Sequence, residues 1–221
     1  PRMAKTILFP GCDWDGTVFN TLDENVNGKK NPNYPTNAAN SSKTALTWRK
    51  YLDPKTQYAD VWDTEASPIV FRYAEVLLTW AEAENELNGP SANVYAMLDK
   101  VRTRAGMPAV DQSKYNTKDK LRELIRRERG SEFAGEGLRR ADILRWTSNG
   151  KMVAETVLNG PLTRVTGTID NTATDPTMRA VVSGTSKVED RSFQTYNRYL
   201  PIPQWNISDN PKLEQNPGYA K

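Results

Sequence analysis

The stretch that most restricts the fold runs from Phe71 to Gly106, FRYAEVLLTWAEAENELNGPSANVYAMLDKVRTRAG. In its first half Phe71, Ala74, Leu78 and Ala81 recur at three- and four-residue spacing, and Tyr73, Val76, Leu77, Trp80 and Leu87 widen the stripe. That spacing predicts an α-helix over 71–89, apolar around much of its circumference and therefore buried against more than one neighbour. Gly89-Pro90 stops it. Ser91 can cap a second helix, in which Val94, Met97, Leu98, Val101 and Ala105 hold one face until Gly106. Two helices joined by so short a link return antiparallel, as a helical hairpin.

A third helix opens at Thr117 and carries Leu121, Leu124, Ile125 and Glu128 along one face. It runs into RRERGSEFAGEGLRRADILRW (126–146), where arginines crowd beside Glu128, Glu132, Glu136 and Asp142. Gly130, Gly135 and Gly137 predict a kink or break, since each costs about 1 kcal/mol against alanine inside a helix. A fourth helix follows over 138–148, and a shorter one is read at 151–158. The arginine run has three physical readings. Nucleic-acid binding needs an unbalanced basic face, but carboxylates interleave here at spacings such as Glu123 to Arg127, which favours pairing along the helix. A catalytic acid needs a carboxyl that holds its proton, and flanking arginines depress carboxyl pKa values. The run therefore reads as a structural network, with Glu75, Arg127, Glu128, Glu132, Arg139 and Asp142 partly buried and bonded to one another.

Composition removes other chemistries. Thirty basic against 27 acidic residues leave a net charge of +3, too weak a balance to imply a nucleic-acid partner. Histidine is absent, so there is no Ser-His-Asp triad, no Cys-His pair and no imidazole-built zinc site. The single cysteine, Cys12, excludes an internal disulfide, and no Gly-rich phosphate loop occurs. No cofactor motif is present. No apolar run approaches the ~20 residues a membrane span needs. ILFPGC (7–12) has the outline of a lipoprotein cleavage site, but Ile7-Leu8-Phe9 falls well short of the ~7–15 apolar residues of a signal peptide.

The flanks are less periodic. Residues 1–65 are rich in Asn, Asp, Gly, Thr and Pro, with Trp14, Phe19, Tyr34, Trp48, Tyr51, Tyr58 and Trp62 scattered through them. That reads as ordered surface loop, because a disordered segment lacks such aromatics. From 160 to 190 Thr, Gly, Asp and Ser predict an irregular excursion. Pro201, Pro203, Pro211 and Pro217 bar a long helix from the tail, and Pro217-Gly218 suits the centre of a type II turn.

Four motifs in order carry a family resemblance: RYAEVLLTWAEAENELNG, VRTRAGM, RRERGSEFAGEGLRRADILRW, and the closing PIPQ with QNPGY. Residues 71–148 and 198–219 resemble the C-terminal half of the SusD/RagB family of outer-membrane glycan-binding lipoproteins. The resemblance implies a mainly α-helical fold, with helical hairpins resembling tetratricopeptide repeats and extensive irregular loops. The hairpins begin near 71 and 117, wider than a repeat of about 34 residues, so no regular solenoid is expected. It divides the chain into a loop-rich segment, 1–70, and a helical region with an extended tail, 71–221. Family members are longer and lipid-anchored, which implies that this chain is a C-terminal portion without the anchor. The implied function is non-catalytic capture of oligosaccharide or polysaccharide at the outer-membrane surface, for delivery to a SusC-like TonB-dependent transporter. Two other classes remain open: a helical module binding protein or peptide, and a glycosidase with two carboxylates roughly 5–9.5 Å apart in a cleft.

Glycan recognition needs a flat aromatic face for the C–H surface of a sugar and polar groups for its hydroxyls. No family binding residue transfers by motif. The candidate is GCDWDGTVFN, where Asp13 and Asp15 flank Trp14; the simpler role for Trp14 is to pin the loop to its scaffold. Trp80, Trp146 and Trp205 lie inside the family motifs and are assigned to packing. Asp13 to Glu24 also has the outer spacing of a calcium loop, but Thr17 and Gly16 break the ligand pattern, and no metal is assigned.

Overall fold

In a computed structural model, residues 1–52 and 65–219 are described; Tyr58 and Trp62 lie outside them. The chain divides into two compact units. The first comprises 1–139 and 165–184, the second 140–164 and 185–221.

The first unit is built on the predicted hairpin. Helix α1 (Arg2–Thr6) is a single short turn, and α2 (Tyr73–Asn88) packs against both α3 (Ala92–Arg104) and α4 (Lys118–Glu132). The caps are those read from the residues. Ser91 Oγ accepts from the Val94 N–H at 3.3 Å, and Thr117 Oγ1 from that of Lys120 at 3.4 Å. Gly106 (φ 70°) ends α3 with its N–H on the Thr103 carbonyl, while Met107 N–H reaches back to Arg102, both closing the last orphan carbonyls. The core lies between the three helices, where Leu78, Val94, Leu98 and Leu121 have no exposed surface and Ile125 almost none.

One expectation fails on α2. Its buried face is Ala74, Leu77, Leu78, Ala81 and Asn85. Phe71, just before it, and Tyr73, Val76, Trp80 and Leu87 are all exposed, Leu87 by 79%. The helix has two apolar stripes, and the described chain covers only one. Periodicity locates a stripe but says nothing about which partner is present to bury it.

The loop regions hold more strand than their composition predicts. β1 (Ile7–Leu8) pairs antiparallel with β6 (Thr47–Trp48). β2 (Asp13–Trp14) with β3 (Thr17–Val18), β4 (Asn25–Val26) with β5 (Lys29–Lys30), and β7 (Thr147–Ser148) with β8 (Lys151–Met152) are tight hairpins. Their turns are Asp15-Gly16, Asn27-Gly28 and Asn149-Gly150, with φ between 51° and 75° at all six residues. Two successive positive φ values make a turn whose twist matches the strands, which is why Asp-Gly and Asn-Gly occupy it. The segment read as irregular over 160–190 is instead a pair of strands, β9 (Gly160–Ile169) and β10 (Ala180–Arg191). Its β-branched residues, Thr163, Val165, Thr166, Val181 and Val182 among them, carry a strand signal that its Gly, Asp and Ser content masked.

Helix α5 (Leu138–Arg145) follows a break at 133–137, where Gly135 and Gly137 both take positive φ. In the second unit α6 (Val153–Val157) corresponds to the short helix read at 151–158. The tail holds a 3-10 turn over 195–198 and α7 (Gln204–Asp209). Gly218 has φ 90° and the Tyr219 N–H bonds the Asn216 carbonyl at 3.3 Å, the pattern of the predicted type II turn. With this much strand the described chain is a mixture of helices and short strands rather than mainly α.

Candidate functional site

Three carboxylates of the arginine-rich motif, Glu128, Glu132 and Glu136, have buried side chains and meet partners from elsewhere in the chain. Glu128 bonds Arg2 (2.5 Å) and Arg102. Glu132 bonds Arg72 (2.6 Å), Arg2 (3.3 Å) and Arg104. Glu136 bonds Arg72 (2.7 Å) and Lys50. Arg72 also lies over the Phe133 ring, 4.8 Å from its centre. One face of α4 and the turn after it thus gather α1, the 49–52 segment, the start of α2 and the end of α3 into one ionic cluster.

The predicted burial holds at Glu128, Glu132 and Asp142, which are all at least 96% buried, but the arginines that meet Glu128 and Glu132 lie outside the predicted set, and Asp142 pairs with Arg145 at 2.8 Å. The network is differently wired elsewhere too. No ion pair among the described residues joins Glu75 or Arg127, and Arg127 and Arg139 are exposed. Glu123 contacts Arg126 at 3.8 Å, not Arg127. Pairing along the helix is worth a few tenths of a kcal/mol, so tertiary partners that also relieve burial win.

Burial alone would raise the pKa of Glu136, but the hydrogen bonds from Arg72 and Lys50 outweigh it and hold the carboxyl below its usual range. A carboxyl depressed on folding stabilises the protein above its unfolded pKa, near 4.5, and that contribution disappears as pH falls through the lower folded value. Stability measured by urea unfolding should therefore fall below about pH 4.5. Glu136→Gln should be less stable at pH 7 and show a flatter acid limb. An acid limb unchanged by the substitution would remove Glu136 from this account.

Around these side chains lies an open cavity of about 500 Å³, bordered by Lys5, Lys50, Arg72, Arg104, Glu132 and Glu136 among others. Its carboxylates are held by arginine or lysine, so none is poised as a general acid.

Trp14 stands at the end of β2, half-buried, with the Arg49 guanidinium 5.3 Å from its ring centre. Asp13 is exposed and accepts from Arg179 Nη1 at 2.5 Å, while the same Arg179 nitrogen also donates to the Gly11 carbonyl. Successive strand residues point to opposite faces, so Asp13 and Trp14 diverge. Asp15 occupies the left-handed first position of the Asp-Gly turn. The three candidates are neighbours in sequence but are not gathered around one point. Among the described residues no group of three or more acidic, cysteine or histidine side chains could hold a metal ion. Cys12 is buried, and burial pushes its thiol up from the ordinary value.

Of the tryptophans assigned to packing, Trp146 is buried at 4% exposure. Trp80 and Trp205 are instead 49% and 71% exposed, Trp80 as part of the outer stripe of α2. Sequence reasoning passed over Trp48, which is 54% exposed at the edge of a second cavity. The signal that could have found it is the run of Asn40, Ser41, Ser42 and Thr44 just before it, an aromatic next to hydroxyl and amide groups.

Comparison with known proteins places this architecture. The model of the SusD family matches residues 1–219, almost the whole chain. The chain belongs to the SusD family. A SusD-like protein of Formosa agariphila is 43% identical over 156 residues, covering 65% of this chain and 29% of the relative; another from the same organism is 30% identical over 146 residues. Among solved structures, a SusD-like protein of Bacteroides fragilis superposes with a TM-score of 0.71 at 26% identity, over 99% of this chain and 38% of its own. A SusD-like carbohydrate binding protein of the same species gives 0.70 at 30% identity, over 97% and 41%. This SusD-family chain thus spans less than half the length of these relatives. No helix among the described residues is long and apolar enough to cross a membrane.

Proposed function

We propose that this chain is part of a protein that captures oligosaccharide or polysaccharide at the surface of an outer membrane, without cleaving it, and passes it to a SusC-like TonB-dependent transporter. The observation that carries this reading is membership of the SusD family over residues 1–219, together with a solved relative described as carbohydrate binding. The chemistry of the chain supports it. Capture needs aromatic faces and hydrogen-bonding rims but no proton donor, and the buried carboxylates here are committed to arginine and lysine. The α2–α3 hairpin would serve as a tetratricopeptide-like scaffold behind a loop-rich ligand face. Peptide binding in a helical groove is the weaker reading, because the solved relative whose ligand class is described is carbohydrate binding.

Trp14 is proposed as one contact of the ligand face, with Asp13 and Asp15 beside it in sequence but turned to other points. Stacking on one aromatic ring is worth about 1 kcal/mol, so Trp14→Ala should weaken glycan binding about fivefold and leave the melting temperature unchanged. The deciding assay incubates the full-length protein with the glycan it binds most tightly. Intact glycan after prolonged incubation is the expected result. Release of shorter sugars at a catalytic rate would refute non-catalytic capture.

A further inference from the structure

Within the first unit, β6 and the loop before it form a second cavity of about 410 Å³, within the roughly 300–1,000 Å³ range of small-molecule sites. Trp48 is one wall. It is aligned by pairing with Ile7 across β1 and β6, and its ring is backed by Gly135. Gly135 takes φ 80°, a conformation that favours glycine, and its position lies within ordinary van der Waals reach of the indole, so the backbone there supports the ring. More than half of Trp48 is nevertheless exposed. The opposite wall carries Asn40, Ser42 and Thr44, with Leu46 beside them.

This wall is held in place. Ala45 is fully buried at φ 66°, its N–H bonds the Ser42 carbonyl at 3.2 Å, and its own carbonyl accepts from Thr21 Oγ1 at 3.0 Å. Ser42 Oγ and Thr44 Oγ1 share one hydrogen bond of 3.1 Å, which leaves each hydroxyl capacity for another partner. The Asn40 amide is exposed. None of the side chains lining this cavity is charged.

We infer that this cavity is a subsite for a neutral pyranose ring, which stacks its C–H face on Trp48 and presents its hydroxyls to Asn40, Ser42 and Thr44. The inference rests on the capture reading and adds the class of sugar. A hydroxyl exchanges its water for a protein hydroxyl or amide at little net cost, whereas a uronate or sulfate entering the cavity would lose hydration with no cation to replace it. The rigid loop supplies donors and acceptors already in position, so little ordering is needed on binding. This sets it apart from the ionic cavity beside Glu132, which is lined by cations.

The test is calorimetric titration of the 221-residue chain with neutral hexaoses (cello-, malto-, xylo- and manno-oligosaccharide) and with an oligogalacturonate. Binding of at least one neutral oligosaccharide is expected, weakened about tenfold by Trp48→Ala and severalfold by Asn40→Ala with Ser42→Ala, with Trp48→Phe keeping most of the affinity. The double variant leaves the Trp48 packing intact and decides the matter if Trp48→Ala also lowers the melting temperature. Neutral binding that survives both variants unchanged, or tighter binding of the oligogalacturonate, overturns the subsite and leaves capture standing. No binding to any of these sugars overturns the subsite and the capture reading of this chain together.

Discussion

Glu132→Ala is expected to lower the unfolding free energy by about 3–5 kcal/mol, the usual cost of removing one partner from a buried ion pair. The carboxylate side chain is 2% exposed and meets Arg2, Arg72 and Arg104, which come from three other parts of the chain. Deleting it leaves the Arg2 and Arg72 guanidiniums, themselves largely buried, without part of their compensation. It also cuts the tie that holds α1 and the start of α2 on α4. Glu128→Ala, which strands Arg102, should behave alike. Glu132→Gln retains an acceptor but not the charge and should fall between the two. Urea unfolding followed by circular dichroism measures all three. A variant as stable as the parent that no longer bound sugar would make this carboxylate a ligand site and not a scaffold.

A comparable loss, about 2–5 kcal/mol, is expected from Leu78→Ala, because its side chain is fully enclosed between α2, α3 and α4 and the space it leaves can close only in part. Two residues along the same helix, Trp80→Ala should change stability by no more than about 0.5 kcal/mol despite removing a larger apolar group. The contrast follows from exposure: 0% for Leu78 and 49% for Trp80 in this chain. Equal destabilisation by the two substitutions would mean that the outer stripe of α2 is buried in solution.

The stripes of α2 show where periodicity stops being informative. Both have helical spacing and both are apolar, so nothing local separates Leu78 from Trp80. The hairpin turns are the opposite case. Asp15-Gly16, Asn27-Gly28 and Asn149-Gly150 are short-range signals present in the residues themselves; reading the first two as loop, and the flanks of the third as ends of the helices over 138–148 and 151–158, overlooked three strand pairs. β9 and β10 lie between these cases: their Thr- and Ser-rich composition is common to loops and to exposed strands, and pairing with each other decides the matter.

The candidate site divides in the same way. Trp14 was legible as an aromatic between two aspartates, but strand alternation sends Asp13 to Arg179, which is 166 positions away. Trp48 was visible only as one of several aromatics in a polar segment. Its role depends on Gly135 behind it and on the loop that Thr21 and Ala45 fix in front.

Although α1, α7 and the 147–152 hairpin went unread, the residues alone settled α2, α3 and α4 with their stops, the break before α5 and the turn at Pro217-Gly218. Each of these depends on residues a few positions apart, whose backbone preferences and capping bonds form without the rest of the chain. Only the tertiary structure decided which arginines neutralise Glu128 and Glu132, since Arg2 stands 126 and 130 positions from them. It alone decided which apolar face of α2 is covered and which tryptophan borders a cavity. Burial and ion pairing are relations between distant segments, and their free energies exist only once those segments meet.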